Sequence, residues 1–147
     1  MSRSYFSKVI HRADGTTEVQ ERATGNLRTT VGRDWQADVM GNSVQPASGR
    51  WLGLTSDTTA PAAGDTTLTA EIAAGGFTRM LGTYAHTGST SSYTITGTFT
   101  ASSTATIAKE AVFSAIISGT MIFESLEPSA PTLVGGDTLT QTVTVSI

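Results

Sequence analysis

Apolar and polar residues alternate along two stretches in the second half of the chain. In residues 92–101 and 138–147, apolar side chains alternate with threonines. This period of two is typical of a strand with one buried face. Between them, residues 109–124 form the densest apolar run, and we expect its residues, Ile116 and Ile117 included, to be buried. The core predicted from these stretches is Ile95, Phe99, Val112, Phe113, Ile122, Phe123, Val143 and Val145.

The N-terminal residues predict a β-hairpin. Residues 5–12 and 16–23 flank a short Ala-Asp-Gly loop, which is a favourable hairpin turn. An isolated two-stranded hairpin is only marginally stable in water. We therefore expect this hairpin to pack either on its own protein or on a neighbouring subunit, and the sequence leaves both alternatives open.

A single amphipathic helix is predicted over residues 27–40. Four apolar residues recur there at every fourth position, the spacing of one helix face. Asn26 is placed to cap the first turn, Gly41 to end the helix, and Gly32 lowers its helix propensity by about 1 kcal/mol relative to alanine. We interpret Trp35 as a core or interface anchor. The four apolar positions are Leu27, Val31, Trp35 and Val39.

The pattern as a whole predicts a mainly β protein. Further strands are expected at 51–55, 68–72 and 77–86. The fold class we predict is an antiparallel β-sandwich or jelly-roll-like domain over 51–147. Residues 1–50 would form an N-terminal arm that holds the hairpin (about 5–23), the helix and a linker.

The composition of the chain argues against several classes of site and partner. The chain has 147 residues, 38% of them hydrophobic, which is enough to bury the core of one domain. It has no cysteine and two histidines, so disulfides and a zinc site are not expected. The N-terminus lacks the apolar core of a secretory signal, no apolar run is long enough to span a membrane, and we expect a soluble protein. The basic residues among the first 33 alternate with acidic ones, which argues against binding nucleic acid.

Catalytic motifs are not found. Glu124 and Glu127 could be a pair of glycosidase carboxylates, but no tryptophan or tyrosine lies near them in the sequence to bind a sugar. Asp57, Asp65 and Asp137 lie in Gly/Thr-rich turns, where aspartate usually accepts hydrogen bonds from nearby backbone, so calcium binding is a minor alternative. We expect no enzymatic activity, no cofactor and no bound metal.

Four segments of the chain resemble small β-sandwich virion proteins of tailed bacteriophages. In those proteins a strand of threonines and aromatics leads to a Lys-Glu-Ala-like corner, a Gly-Thr-Met-like turn and a terminal strand. The segments that carry the resemblance are residues 54–72, 84–101, 109–126 and 136–147.

The resemblance implies a virion structural protein, made in the host cytoplasm. It favours a capsid decoration (cement) protein that binds the major capsid protein lattice on the outer capsid surface as a homotrimer. The alternative is a minor tail or tail-fibre subunit with a host-surface-binding β-domain. Aromatic, aliphatic and basic residues of the N-terminal segment are expected to make the partner contacts. They are Arg3, Tyr5, Phe6, Lys8, Val9, Ile10, Arg12, Arg28 and Trp35.

Overall fold

Two antiparallel five-stranded sheets and one helix make up most of the structure, a computed structural model that describes residues 5–21, 27–41 and 49–146. The strands are β1 (Tyr5–His11), β2 (Thr17–Glu21), β3 (Leu27–Arg28), β4 (Trp51–Thr55), β5 (Met80–Leu81), β6 (Thr83–His86), β7 (Ser92–Thr100), β8 (Ala105–Thr106), β9 (Lys109–Phe113), β10 (Met121–Leu126), β11 (Thr132–Leu133) and β12 (Thr138–Ser146). The helix is α1 (Thr30–Gly41). The first sheet has the order β2-β1-β12-β7-β6, and the second has the order β3-β10-β9-β4-β5. Strands β8 and β11 form a small separate pair.

The two large sheets share one apolar core. Side chains of β1, β7 and β12 pack against side chains of β4, β9 and β10. This contact makes the fold a β-sandwich, as the sequence predicts. All eight residues of the predicted core are buried, with at most 3% of each exposed. Ile116 and Ile117 are different: they are 50% and 79% exposed in the loop between β9 and β10, so the prediction that they are buried is wrong.

The N-terminal hairpin belongs to the β-sandwich. Strand β1 pairs with β2 on one side and along its whole length with β12 on the other, from Tyr5 opposite Thr144 to His11 opposite Thr138. Phe6 and Ile10 of β1 are part of the main core. Of the two alternatives for the hairpin, the structure shows packing on its own protein. The described part of the hairpin is therefore not an arm beside the β-domain. Residues 22–23 of the predicted hairpin and the linker over 42–48 lie outside the described residues.

Helix α1 begins later than predicted. Thr29 caps it, because its hydroxyl accepts a hydrogen bond from the Gly32 N–H at 3.0 Å and donates one to the Met121 carbonyl. The predicted cap, Asn26, lies outside the described residues. Gly32 also has a packing role, since a Cβ at this position would lie 2.3 Å from the Ile122 carbonyl oxygen. The helix can therefore approach β10 closely only because residue 32 has no side chain.

We expect Gly32→Ala to destabilise the protein although alanine is the better helix former. The clash is with backbone, which cannot rotate away, so a loss of about 1–3 kcal/mol is expected. Gly64→Ala is the matched control, because no atom lies within 4 Å of a Cβ there. Urea unfolding of both variants measures the difference. A Gly32→Ala protein as stable as the parent would contradict the close approach.

Two predicted strands differ from the structure. Residues 68–72 make only one isolated bridge, Glu71 with Thr55, because Ala70 has a left-handed φ of 50° and the Thr55 hydroxyl binds the Thr69 carbonyl at 2.6 Å. Residues 77–86 are divided at Gly82, where the chain leaves the second sheet and enters the first. A Cβ on Gly82 would lie 2.4 Å from the Ile95 side chain.

Candidate interaction surface

Three of the predicted contact residues lie inside the protein. Phe6 and Ile10 are at most 1% exposed and pack in the core. Lys8, between them on the same face of β1, is also 1% exposed. The prediction that these three side chains contact a partner is corrected here, because alternation along β1 directs them toward the second sheet.

Three of the other six predicted contact residues also have partners within the chain. Arg12 pairs with Asp137 at 2.9 Å and with Glu18 at 3.0 Å. The Arg28 guanidinium lies 5.2 Å from the centre of the Phe123 ring, and Trp35 is half-buried against the core. Tyr5 (41% exposed) and Val9 (half-buried) lie on the outer face of β1. Arg3 lies outside the described residues.

A buried charge cluster explains the position of Lys8. Its ammonium lies 2.5 Å from Glu110 Oε2 and 3.3 Å from Glu127 Oε1. Lys8 and Glu110 are almost fully buried between the sheets. Gln141, opposite Lys8 on β12, is fully buried, and its side-chain amide makes no hydrogen bond to the described part of the chain.

Glu110 has the most perturbed acidity in this cluster. Burial raises the pKa of its carboxyl to about 8; the Lys8 ammonium opposes this rise and the neighbouring Glu127 adds to it. One ammonium between two carboxyls is electrically neutral when the carboxyls together retain one proton. The low polarity of the interior favours that neutral arrangement.

A second cluster lies on the opposite side of β9. The Lys109 ammonium is 2.7 Å from Asp57 Oδ2 and 2.8 Å from Glu124 Oε1. Burial raises the pKa of Glu124. Glu124 and Glu127, the two carboxyls considered for glycoside hydrolysis, are therefore engaged with different lysines on different sides of the second sheet.

The aspartates considered for calcium accept hydrogen bonds from the backbone or pair with basic side chains of the chain. Asp137 accepts backbone hydrogen bonds from Val134 at 2.9 Å and Ala13 at 2.8 Å, which lower its pKa together with the pairing to Arg12. Asp65 accepts a hydrogen bond from the Ala62 N–H at 2.8 Å. Within residues 5–21, 27–41 and 49–146, no group of three or more metal-binding side chains is found.

On the outer face of the first sheet, strands β1, β7 and β12 carry a broad set of uncharged side chains. Because the apolar residues of β7 and β12 point into the core, their threonines point outward, and two cross-strand pairs are hydrogen bonded: Thr96 with Thr142 at 3.2 Å and Thr98 with Thr140 at 2.9 Å. Tyr5 and the half-buried residues Ser7 and Val9 extend this face across β1. We call it the threonine face: Tyr5, Ser7, Val9, Thr94, Thr96, Thr98, Thr100, Thr138, Thr140, Thr142 and Thr144.

The loop over 114–120 presents an apolar tip that the sequence reasoning missed. Ile117 is 79% exposed and Ile116 is 50% exposed. The loop is nevertheless held in place, because the Arg79 guanidinium donates hydrogen bonds to the carbonyls of Ala115 at 2.8 Å and Ser118 at 2.7 Å. We call Ile116 and Ile117 the isoleucine tip.

Arg79 is itself fixed on two sides. It forms an ion pair of 2.5 Å with Glu71 and lies 3.5 Å from the centre of the Phe113 ring. An arginine suits this position, because Nε and Nη2 donate to the Glu71 carboxylate while Nη1 donates to the two carbonyls, whereas a lysine would have to serve all three groups from one nitrogen. No sequence motif indicates such an anchor, since its partners come from separate segments.

We expect Arg79→Lys to loosen the loop more than it destabilises the protein. Loss of the two carbonyl contacts should cost about 1–2 kcal/mol, while the core remains packed. Hydrogen exchange should rise in residues 114–120 and stay unchanged in β12. Arg33→Lys, on the exposed side of α1, is the control. Equal protection of the loop in the Arg79→Lys and parent proteins would contradict the anchoring role.

A pocket of about 260 Å³ lies at the other end of the β9–β10 hairpin. Apolar groups of Phe6, Val19 and Pro128 line it, and Gln20 and Ser129 add polar groups. The buried pair Lys8 and Glu127 completes the lining. The pocket is adjacent to β2, an edge strand of the first sheet.

The structure thus shows two candidate contact regions, the threonine face and the isoleucine tip, and one pocket. No helix within the described ranges is long and apolar enough to cross a membrane. No protein-family model matches the chain, and a search of curated proteins finds none that is similar in sequence.

Proposed function

We propose that the protein is a structural component of a tailed-bacteriophage virion, a capsid decoration protein that binds and stabilises the major capsid protein lattice. The proposal rests on the resemblance of four segments to such β-sandwich proteins. The observation that supports it most directly is the threonine face, a broad and partly exposed sheet surface whose side chains carry no formal charge.

An uncharged hydroxyl surface suits contact with another protein. Charged groups lose much hydration free energy when they enter an interface, whereas threonines lose less and keep their cross-strand hydrogen bonds. The face is also rigid, because β12 lies at the centre of its sheet with β1 and β7 on either side. Tyr5 supplies an aromatic anchor at its margin.

Segments that carry the resemblance form the framework behind this face. Residues 109–126 span the central strands β9 and β10 of the second sheet, and residues 136–147 include β12. Their buried charges pair within the chain rather than facing a substrate. Charges that pair inside the protein are typical of a structural role, which supports a protein that presents its outer surfaces to partners.

The contact can be tested by replacing a central threonine. Thr142→Arg adds a long cation in the middle of the threonine face, where it is paired with Thr96. We expect it to weaken binding to capsids at least about thirtyfold, the effect of disrupting an interface centre. Thr87→Arg, in an exposed loop after β6, is the control. Binding is measured by sedimentation of purified protein with undecorated capsids.

Labelling of intact particles decides between the two locations in a virion. Antibody-bound gold over the capsid faces supports the decoration role. Gold at the tail tip with bare capsids would overturn it in favour of a tail or fibre subunit. Equal capsid binding by Thr142→Arg and the parent would exclude the threonine face as the contact.

A further inference from the structure

The buried cluster around Lys8 places an amine between two carboxyls. Lys8 Nζ lies 2.5 Å from Glu110 Oε2 and 3.3 Å from Glu127 Oε1. No more than 4% of any of these three side chains is exposed. An amine and a carboxyl are the two reactants of an amide bond, and a fixed contact between them, away from water, replaces a rare encounter in solution.

Directed hydrogen bonds do not account for this contact. Neither Lys8 Nζ nor either carboxyl oxygen of Glu110 makes a hydrogen bond of ordinary geometry with the described part of the chain. The second cluster differs, because Lys109 Nζ donates a hydrogen bond to Glu124 Oε1 at 2.8 Å. Its other carboxyl, Asp57, has a side chain that is 17% exposed. Buried polar groups without ordinary hydrogen bonds are uncommon, and a chemical role is one reason for them.

The protonation of the cluster favours condensation. Burial raises the pKa of the Glu110 carboxyl to about 8, so this carboxyl is mostly protonated at pH 7. An amine can attack a protonated carboxyl, whereas a carboxylate is a poor electrophile. Glu127 is close enough to take a proton from the Lys8 ammonium, which leaves a neutral amine beside a neutral acid. The low polarity of the interior favours such uncharged groups.

We propose that Lys8 Nζ and the Glu110 carboxyl condense to an amide that covalently joins the two sheets. Glu127 first accepts a proton from the Lys8 ammonium, and Nζ then attacks Cδ of Glu110. Glu127 returns that proton to the departing hydroxyl and takes a second proton from Nζ as water leaves. One C–N bond forms, one C–O bond breaks, the site stays neutral, and the reaction needs no oxidant or cofactor.

The surroundings of the cluster suit this reaction. Lys8 and Glu127 line the pocket of about 260 Å³, so the released water has a space to enter beside the reacting nitrogen. Gln20 also lines the pocket, and its buried Oε1, which has no hydrogen-bond partner among the described residues, can accept a hydrogen bond from this water. The product amide is uncharged, so it replaces an ammonium and a carboxyl whose burial is costly.

The bond would tie the N-terminal hairpin to the second sheet. It joins β1 to β9 and closes a long loop, which lowers the entropy of the unfolded chain as a disulfide does. The inference goes beyond the proposed function, since it concerns the interior of the protein and not its contact with a capsid. Until the bond forms, Lys8 and Glu110 remain an ionisable pair, so the ionisation of Glu110 is measured on protein whose mass is unchanged.

Intact-mass measurement of the full chain tests the proposal directly. During several days at pH 7, we expect the mass of the parent protein to fall by that of one water molecule. Trypsin cannot cleave after an acylated Lys8, so digestion should give a branched peptide that joins residues 4–12 to residues 110–147. This peptide distinguishes the amide from dehydration of Asp14, which precedes Gly15.

Three variants assign the roles of the side chains. Lys8→Met lacks the nucleophile and should keep its full mass. Glu127→Gln retains both reactants but lacks the proton acceptor, so cross-linking should slow at least about a hundredfold. Glu124→Gln, which alters a buried carboxyl of the second cluster, is the matched control and should react at the parent rate. Circular dichroism shows whether each variant is folded, and the parent result depends on none of them.

Other outcomes overturn the proposal. A parent mass that stays unchanged, with normal tryptic cleavage after Lys8, would exclude the bond. Loss of one ammonia molecule instead would assign the electrophile to the amide of Gln141, which is buried opposite Lys8. An unchanged rate in Glu127→Gln would exclude Glu127 as the proton carrier. Capsid binding is not measured in this experiment, so failure of the proposed function would leave these results unaffected.

Discussion

Lys8→Met should lower the free energy of unfolding by about 3–5 kcal/mol at pH 9, where the Glu110 carboxyl, with a pKa of about 8, is mostly ionised; this is among the largest losses expected for a single substitution in this protein. Methionine fills a similar volume, so packing is largely preserved. What is lost is the cation within 2.5 Å of Glu110 and 3.3 Å of Glu127. Glu110 is completely buried, so without Lys8 its carboxyl must either stay charged in an apolar environment or take up a proton at a pH above its pKa, and both cost free energy.

A double variant separates the loss of charge from the loss of packing. Adding Glu110→Gln to Lys8→Met removes the buried carboxylate and should recover about 1–2 kcal/mol of the loss. The remaining carboxyl, Glu127, lines the pocket, with 4% of its side chain exposed. Urea unfolding of the parent, single and double variants at pH 9 forms the cycle. A Lys8→Met protein within about 0.5 kcal/mol of the parent would show that the cluster contributes little.

The sequence was sufficient to predict the sandwich and much of its core. Alternation over 92–101 and 138–147 matches β7 and β12 to within one residue at each end. Period two directly determines which side chains face the core, so residues such as Ile95 and Val143 could be identified without knowledge of the strand order. The order itself depends on pairings between distant segments.

The position of Lys8 was missed because a lysine near a terminus usually indicates exposed surface. A signal was present: Lys8 alternates in phase with Phe6 and Ile10, which places it on the apolar face of β1. Its counterion, Glu110, is distant in sequence and lies on the other sheet. Only the packing of the two sheets brings the pair together.

The prediction for the isoleucine tip is wrong in the opposite direction, because side chains expected in the core are exposed. Ile116 and Ile117 were assigned to the core because they continue an apolar run. The chain turns at Ser118 and Gly119, both of which have positive φ, and Arg79 fixes the resulting loop outside the sheet. Apolar content predicts burial on average, whereas an anchored loop can hold apolar side chains in solvent.

Glu110 should make stability fall as the pH rises from about 5 to 8. Its pKa is raised from 4.5 in the unfolded chain to about 8 in the folded protein, so the folded state binds more protons in this range. The contribution is complete below pH 4.5 and is lost as the pH rises through 8. The expected slope approaches about 1 kcal/mol per pH unit. Asp137 has a lowered pKa, so its contribution is lost only at more acidic pH.

Glu110→Gln should remove most of this slope, because a neutral amide has no proton to release; the raised pKa of Glu124 leaves a smaller slope of the same sign. Glu18→Gln, at a side chain that is 49% exposed, is the control and should retain it. Urea midpoints measured at intervals between pH 5 and 8.5 give both profiles. A parent protein whose stability rises or stays level over this range would show that Glu110 is ionised when folded, with the Lys8 ammonium outweighing burial.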